Sequence, residues 1–118
     1  MKNLFICYPK CSTCRKAKKW LDENGIDYTE RLIVEDNPTK EELRKWSIEG
    51  GIPLTKFFNT SGKLYREMQL KDVVKTASDE KLLDLLSSDG MLVKRPILVK
   101  DKIILVGFKE GQWEENLK

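Results

Sequence analysis

The first twenty-five residues restrict this chain more than any other stretch. An apolar run, Leu4-Phe5-Ile6-Cys7-Tyr8, is ended by Pro9 and followed at once by Cys11-Ser12-Thr13-Cys14. The run predicts a buried strand. Cys14, Ala17, Trp20 and Leu21 then recur at helical spacing, and Asn24-Gly25 supplies a stop, which predicts a helix from Cys11 or Ser12 to Asn24. Ile26 to Val34 mixes β-branched and alternating residues and predicts a second strand. Strand, helix and strand in this order form a βαβ unit, and a crossover of this length favours a parallel pair.

The middle of the chain carries helix signals and few strand signals. Thr39-Lys40-Glu41-Glu42 is a capping box, with Thr39 as cap and Glu42 three residues on; the helix it opens is expected to reach Glu49, with Gly50-Gly51 as its end. Pro53 to Phe58 predicts a short helix or turn, and Asn59-Thr60-Ser61-Gly62 a loop. Leu70–Thr76 and Asp79–Ser88 are expected helices, the second capped by Ser78 or Asp79. This block, about 38–90, is expected to be a helical insertion in an α/β frame. The final third returns to strands: Pro96–Val99, a turn at Lys100-Asp101-Lys102, and Ile103–Val106 make a hairpin. Gly107 breaks the pattern and Glu110–Leu117 can form a last helix. No repeat or linker interrupts the order, so 1–118 is expected to be one domain, and a monomer.

The chain has 118 residues, 40% apolar and 35% charged, an ordinary composition for one folded core. The apolar run at the N-terminus is far too short for a signal peptide, and no stretch approaches the roughly 18 apolar residues of a membrane span. A cytoplasmic location, where thiols are kept reduced, is therefore expected. The net charge of +3 is too mild and too evenly spread to argue direct nucleic-acid binding. Its one concentration, Lys10, Arg15, Lys16, Lys18 and Lys19, is either a solvated helix face or an electrostatic setting for the cysteines beside it.

A C-x-x-C at a strand-to-helix junction has a defined chemistry. Orphan N–H groups and the positive end of the helix favour a thiolate on the first cysteine, Cys11. Lys10 and Arg15 add positive charge, and such settings lower a cysteine pKa from ~8.5 into a range of roughly 3.5–7.5. Cys14 lies one turn in, on a face with Ala17 and Leu21, and should be shielded. That asymmetry suits Cys11 as attacker and Cys14 as resolving thiol. With three cysteines and no histidine, the chain is short of the four ligands a zinc site or iron–sulfur cluster usually takes. A structural disulfide fits poorly with a reducing compartment, while a pair of inert core thiols is the serious alternative. Cys7, inside the apolar run, is read as a core strand residue. Pro96 at a strand start is by itself a common edge device, and Arg95 by itself a surface arginine.

The stretch Tyr8-Pro9-Lys10-Cys11-Ser12-Thr13-Cys14-Arg15-Lys16-Ala17, together with Thr39-Lys40-Glu41-Glu42-Leu43 and Lys94-Arg95-Pro96-Ile97, resembles the ArsC/Spx family of glutaredoxin-type arsenate reductases and Spx-like regulators. The resemblance covers nearly the whole chain. It implies an α/β, thioredoxin-like βαβ…ββα fold with a mixed sheet and a helical insertion, in which a cis proline at Pro96 packs against the C-x-x-C and leaves backbone groups free to hold a substrate. Cys11 matches the family's catalytic cysteine, and Arg95 matches the arginine of its R-P-I motif, which contacts the oxyanion in the reductases. The substrate-binding residues expected around them are Lys10, Ser12, Thr13, Arg15 and Pro96. No bound cofactor is implied; glutathione, glutaredoxin or thioredoxin would serve as reductant. The reductases' pocket uses two further arginines, which fall near Asn59 and near Gly107 or Phe108 in this chain, and neither is arginine; Lys56 or Lys63 could compensate in part. Spx-like regulators resemble the chain around both cysteines and Val106-Gly107-Phe108, and imply binding to the C-terminal domain of the RNA polymerase α subunit. The basic tail typical of those regulators does not follow the last helix.

Overall fold

A computed structural model describes residues 3–118; Met1 and Lys2 of the expected domain lie outside the described residues. The elements are β1 (Asn3–Cys7), α1 (Ser12–Glu23), β2 (Tyr28–Leu32), α2 (Lys40–Gly50), α3 (Lys63–Glu67), α4 (Leu70–Thr76), α5 (Asp79–Ser88), β3 (Ile97–Lys100), β4 (Ile103–Val106) and α6 (Glu110–Leu117), with 3-10 turns at Leu54–Phe57 and Gly90–Leu92. The strands form one mixed sheet in the order β2-β1-β3-β4. β1 runs parallel to β2, with Phe5 opposite Glu30 and Cys7 opposite Leu32, and antiparallel to β3. This is the thioredoxin-like βαβ…ββα frame, α/β in class, with a largely helical block between β2 and β3.

Alternation along β1 sorts the chain into layers. Phe5 and Cys7 face one side, where Cys14, Ala17 and Leu21 of α1 and Trp113 of α6 pack with Leu98 and Leu105. Ile6 faces the other side with Ile97 and Ile104, under Leu43 and Trp46 of α2, Leu82, Leu83 and Leu86 of α5, and Phe57, Phe58 and Tyr65. Trp113 is fully buried, donates its indole N–H to the Gly107 carbonyl at 3.1 Å, and meets Phe108 edge-on at 4.9 Å. Each large side chain buried in this way stabilises the fold by roughly 1.5–3 kcal/mol.

The capping box forms as the sequence predicts. Thr39 Oγ1 accepts from Glu42 N–H, and Glu42 reaches back to Thr39 N–H. The same carboxylate takes a bidentate pair from Arg31 on β2, at 2.6 and 2.8 Å, so one residue caps α2 and ties it to the sheet edge. Ser78, rather than Asp79, caps α5. No described helix is long and apolar enough to cross a membrane.

The second strand is shorter than expected. Ile26 N–H still bonds to the Leu21 carbonyl as the chain leaves α1, and beyond Leu32 the Asp36 N–H returns to the Leu32 carbonyl in a turn, so Ile26, Asp27, Ile33 and Val34 are outside the strand. At Gly90 a Cβ would stand 2.1 Å from the Ile33 carbonyl oxygen, so the helical block closes against this turn only through glycine.

Candidate functional site

The β1–α1 junction presents two sulfurs in unequal settings. The chain turns at Tyr8–Cys11, where Cys11 N–H bonds to the Tyr8 carbonyl at 2.9 Å. Cys11 then takes the extended N-cap position of α1 without closing a side-chain capping hydrogen bond. Its sulfur is partly exposed, whereas Cys14 is 2% exposed and receives the Tyr8 N–H on its sulfur at 3.4 Å. All three cysteines are free thiols.

Burial alone would raise the Cys11 thiol. It is outweighed by the Cys14 N–H, the Cys14 S–H, the Thr13 N–H and the Arg95 guanidinium, and the net effect is a pKa below the ordinary thiol value. The polar contacts are looser than a capping bond, and they act where the orphan N–H groups of a helix start converge. Cys14 goes the other way: burial pushes it up to about 12 against the Tyr8 N–H, and the neighbouring Cys11 adds to the rise.

Cys11 opens on a cleft of about 520 Å³ whose lining includes Thr13, Asn59, Lys63, Lys94, Arg95, Gly107, Phe108 and Lys109. Three strand-linked segments bring these walls together. Asn59 N–H bonds to the Leu92 carbonyl and Lys94 N–H to the Phe57 carbonyl, at 2.8 and 2.7 Å. Gly107 N–H bonds to the Pro96 carbonyl at 2.8 Å, and the Arg95–Pro96 peptide is cis. Gly107 holds φ +80, a conformation that favours glycine, and keeps the wall clear of the Lys94 stem. Lys63, Lys94, Arg95 and Lys109 line the cleft, and among the described residues no carboxylate does. Arg95 lies over the Tyr8 ring at 4.9 Å, and its Nε and Nη1 are buried with no hydrogen-bond acceptor. Buried donors of that kind are costly to leave unpaired. A second groove of about 530 Å³, between α2, the Leu54 turn and α5, contains no thiol, and chemistry sets the cysteine cleft above it.

Among the expected site residues, Cys11, Thr13 and Arg95 meet in the cleft, with Pro96 buried behind it and Cys14 buried beneath. Lys10, Ser12 and Arg15 are exposed and outside its walls; Arg15 donates to the Lys10 carbonyl at 3.2 Å. The positive charge felt by Cys11 is that of Arg95, not of the sequence neighbours Lys10 and Arg15. The other cations of that cluster behave as a solvated face, with Lys18 paired to Glu30 and Lys19 to Glu23. Lys94 and Lys109 were not anticipated; no spacing in the sequence links them to Cys11, and only the return of β3 and β4 does. Lys63 lines the cleft, whereas Lys56 lies in a different groove with Lys71 and Lys75. Asn59, Gly107 and Phe108 do stand around Cys11, at the places where the resemblance put two further arginines.

The sequence profile of the ArsC family matches residues 7–116. The chain belongs to the ArsC family. Its relatives within that family extend in two directions. It is 52% identical over 116 residues to the uncharacterized protein YusI of Bacillus subtilis, covering 98% of each. It is 32% identical over 105 residues to the global transcriptional regulator Spx 2 of Bacillus anthracis, covering 86% of this chain and 76% of the regulator. The crystal structure of an ArsC family related protein from Bacteroides fragilis superposes with a TM-score of 0.95 at 55% identity, covering 100% of this chain and 98% of the other. This ArsC-family chain therefore shares its whole fold with that relative.

Proposed function

We propose that this ArsC-family chain is a thiol–disulfide oxidoreductase with Cys11 as nucleophile and Cys14 as resolving thiol. The observation that carries the reading is the inequality of the two sulfurs: an accessible, stabilised Cys11 above a buried Cys14 whose thiol is held protonated. The Cys11 thiolate attacks one sulfur of a substrate disulfide. A Cys11–substrate disulfide forms and the other substrate sulfur leaves as a thiolate. Cys14 then gives its proton to the departing sulfur and attacks Cys11, releasing the second substrate thiol and leaving Cys11–Cys14 oxidised. Two electrons from glutathione, glutaredoxin or thioredoxin restore the dithiol. A cytoplasmic monomer is the setting that fits this cycle.

The walls favour a negatively charged substrate, because four cations, Lys63, Lys94, Arg95 and Lys109, line the cleft without a carboxylate among the described residues. Arsenate fits less well. Asn59 and Gly107–Phe108 cannot supply the bidentate, charge-assisted contacts that arginines would give there. The test is a trap. Cys14→Ser, treated with glutathione disulfide, should accumulate one glutathionyl group on Cys11, whereas wild type should pass through that adduct to the internal disulfide. Absence of the adduct in Cys14→Ser would sink the reading.

The 32% identity to a named Spx regulator favours one alternative, a redox-switched partner of the RNA polymerase α C-terminal domain. Capture of that domain by the oxidised or the reduced chain, but not by both equally, would support it; no capture in either state rejects it.

A further inference from the structure

Resting on the dithiol reading above, we propose that Cys7 is a third member of the redox site. It attacks Cys14 of the Cys11–Cys14 disulfide, forms a Cys7–Cys14 disulfide, and returns Cys11 to the cleft as a free thiolate.

Three observations place Cys7 for this step. Cys7 and Cys14 wall the same small cavity of about 110 Å³, together with Pro9, Arg15, Lys18 and Glu30. Both side chains belong to the cluster between the sheet and α1. The backbone beside Cys7 is also tied to the Cys14 side chain, since Tyr8, peptide-bonded to Cys7, donates its N–H to the Cys14 sulfur at 3.4 Å. Cys14 thus has Cys11 on its cleft side and Cys7 on its core side.

A core cysteine needs only apolar neighbours, and this one has a carboxylate. The Cys7 S–H donates to Glu30 Oε2 at 3.3 Å, and Lys18 Nζ donates to both oxygens of the same carboxylate, at 3.3 and 3.2 Å. Burial, and then Glu30, push the Cys7 thiol up to about 12, so it is unreactive unless its proton is taken as it attacks. Glu30 is placed to take it. The exchange balances without an external oxidant: the Cys11–Cys14 bond breaks, the Cys7–Cys14 bond forms, the electron pair leaves on Cys11 and the proton moves from Cys7 to Glu30. Cys11, the thiol with the lowered pKa, is the better leaving group. The oxidised protein would then hold one disulfide in its core while a live thiolate faces the cleft, able to form a second mixed disulfide.

The test is to oxidise wild type with one equivalent of diamide, label it with iodoacetamide without denaturant, and map the peptides. The proposal expects molecules that carry one label on Cys11 and a Cys7–Cys14 disulfide. Cys7→Ser should lower labelling of the oxidised protein at least tenfold, and Glu30→Gln should slow it about tenfold while leaving labelling of the reduced protein unchanged. If Cys7→Ser fails to fold, the wild-type map and Glu30→Gln still decide. A Cys11–Cys14 disulfide that persists with Cys7 protected, or with the label on Cys7, overturns the relay and leaves the dithiol reading standing. Labels on both Cys11 and Cys14, with no internal disulfide, overturn both.

Discussion

Glu42 joins the helical block to the sheet, and replacing it tests whether that joint is electrostatic. In Glu42→Gln the shape and the bond to Thr39 N–H are retained, while the charge facing Arg31 is lost. Arg31 is 13% exposed and would keep Asp36 and two backbone carbonyls as partners. The bidentate bonds from Arg31 hold the Glu42 carboxyl down to about 2, from an ordinary 4.5. Carried in full, that depression is worth roughly 3.4 kcal/mol. Solvent reaches 34% of the Glu42 side chain, which screens the pair and leaves about 2 kcal/mol. For 118 residues the unfolding entropy is about 0.25 kcal/mol per kelvin, so the variant should melt about 8 °C below wild type at pH 7. The sign follows from the depressed carboxyl: the stabilisation is present above pH 4.5 and is lost as pH falls toward 2. The gap between the two proteins should therefore shrink to less than half its size by about pH 3. Thermal melts by circular dichroism between pH 7 and 3 check this. A gap under about 2 °C at pH 7, or one that stays constant with pH, refutes the reasoning.

Three further outcomes follow from the same structure. Gly90→Ala forces a Cβ to within 2.1 Å of the Ile33 carbonyl and should cost at least about 3 kcal/mol in urea unfolding, enough to lower expression of folded protein. Trp113→Ala removes a fully buried indole with its bond to Gly107 and should cost about 3–5 kcal/mol in the same assay. Lys94→Glu reverses one cleft cation and should lower kcat/KM for glutathione disulfide about tenfold, while raising it for the cationic disulfide cystamine; equal losses on both would contradict the charge argument.

Much of the frame was legible because the signals are local. The Thr39 capping box, the apolar run of β1 and the β3–β4 hairpin each depend on residues within one turn or one strand. The unequal exposure of Cys11, the α1 cap, and Cys14, one turn in on the buried face, also follows from local spacing. What escaped depended on distant contacts. α3 has only five residues and no side-chain cap, so no pattern announced it. The turn at Gly90–Leu92 rests on Asp89 Oδ1 accepting from Met91 N–H, a bond indistinguishable in sequence from a helix ending. The cleft was the largest gap. Lys10 and Arg15 adjoin Cys11 in sequence yet point to solvent, while Arg95 reaches it across the sheet. Glu30 likewise meets Cys7 only because β2 pairs in parallel with β1.

The central claim is a stabilised thiolate at Cys11 above a protonated Cys14. Iodoacetamide alkylation against pH, with peptide mapping of the labelled sulfur, measures it most directly. Labelling of Cys11 should come first, with a half-maximal rate below the ~8.5 of a free thiol, moved upward in Arg95→Gln, and with Cys14 and Cys7 silent at neutral pH. A Cys11 midpoint at or above ~8.5, or Cys14 labelled before it, would contradict it.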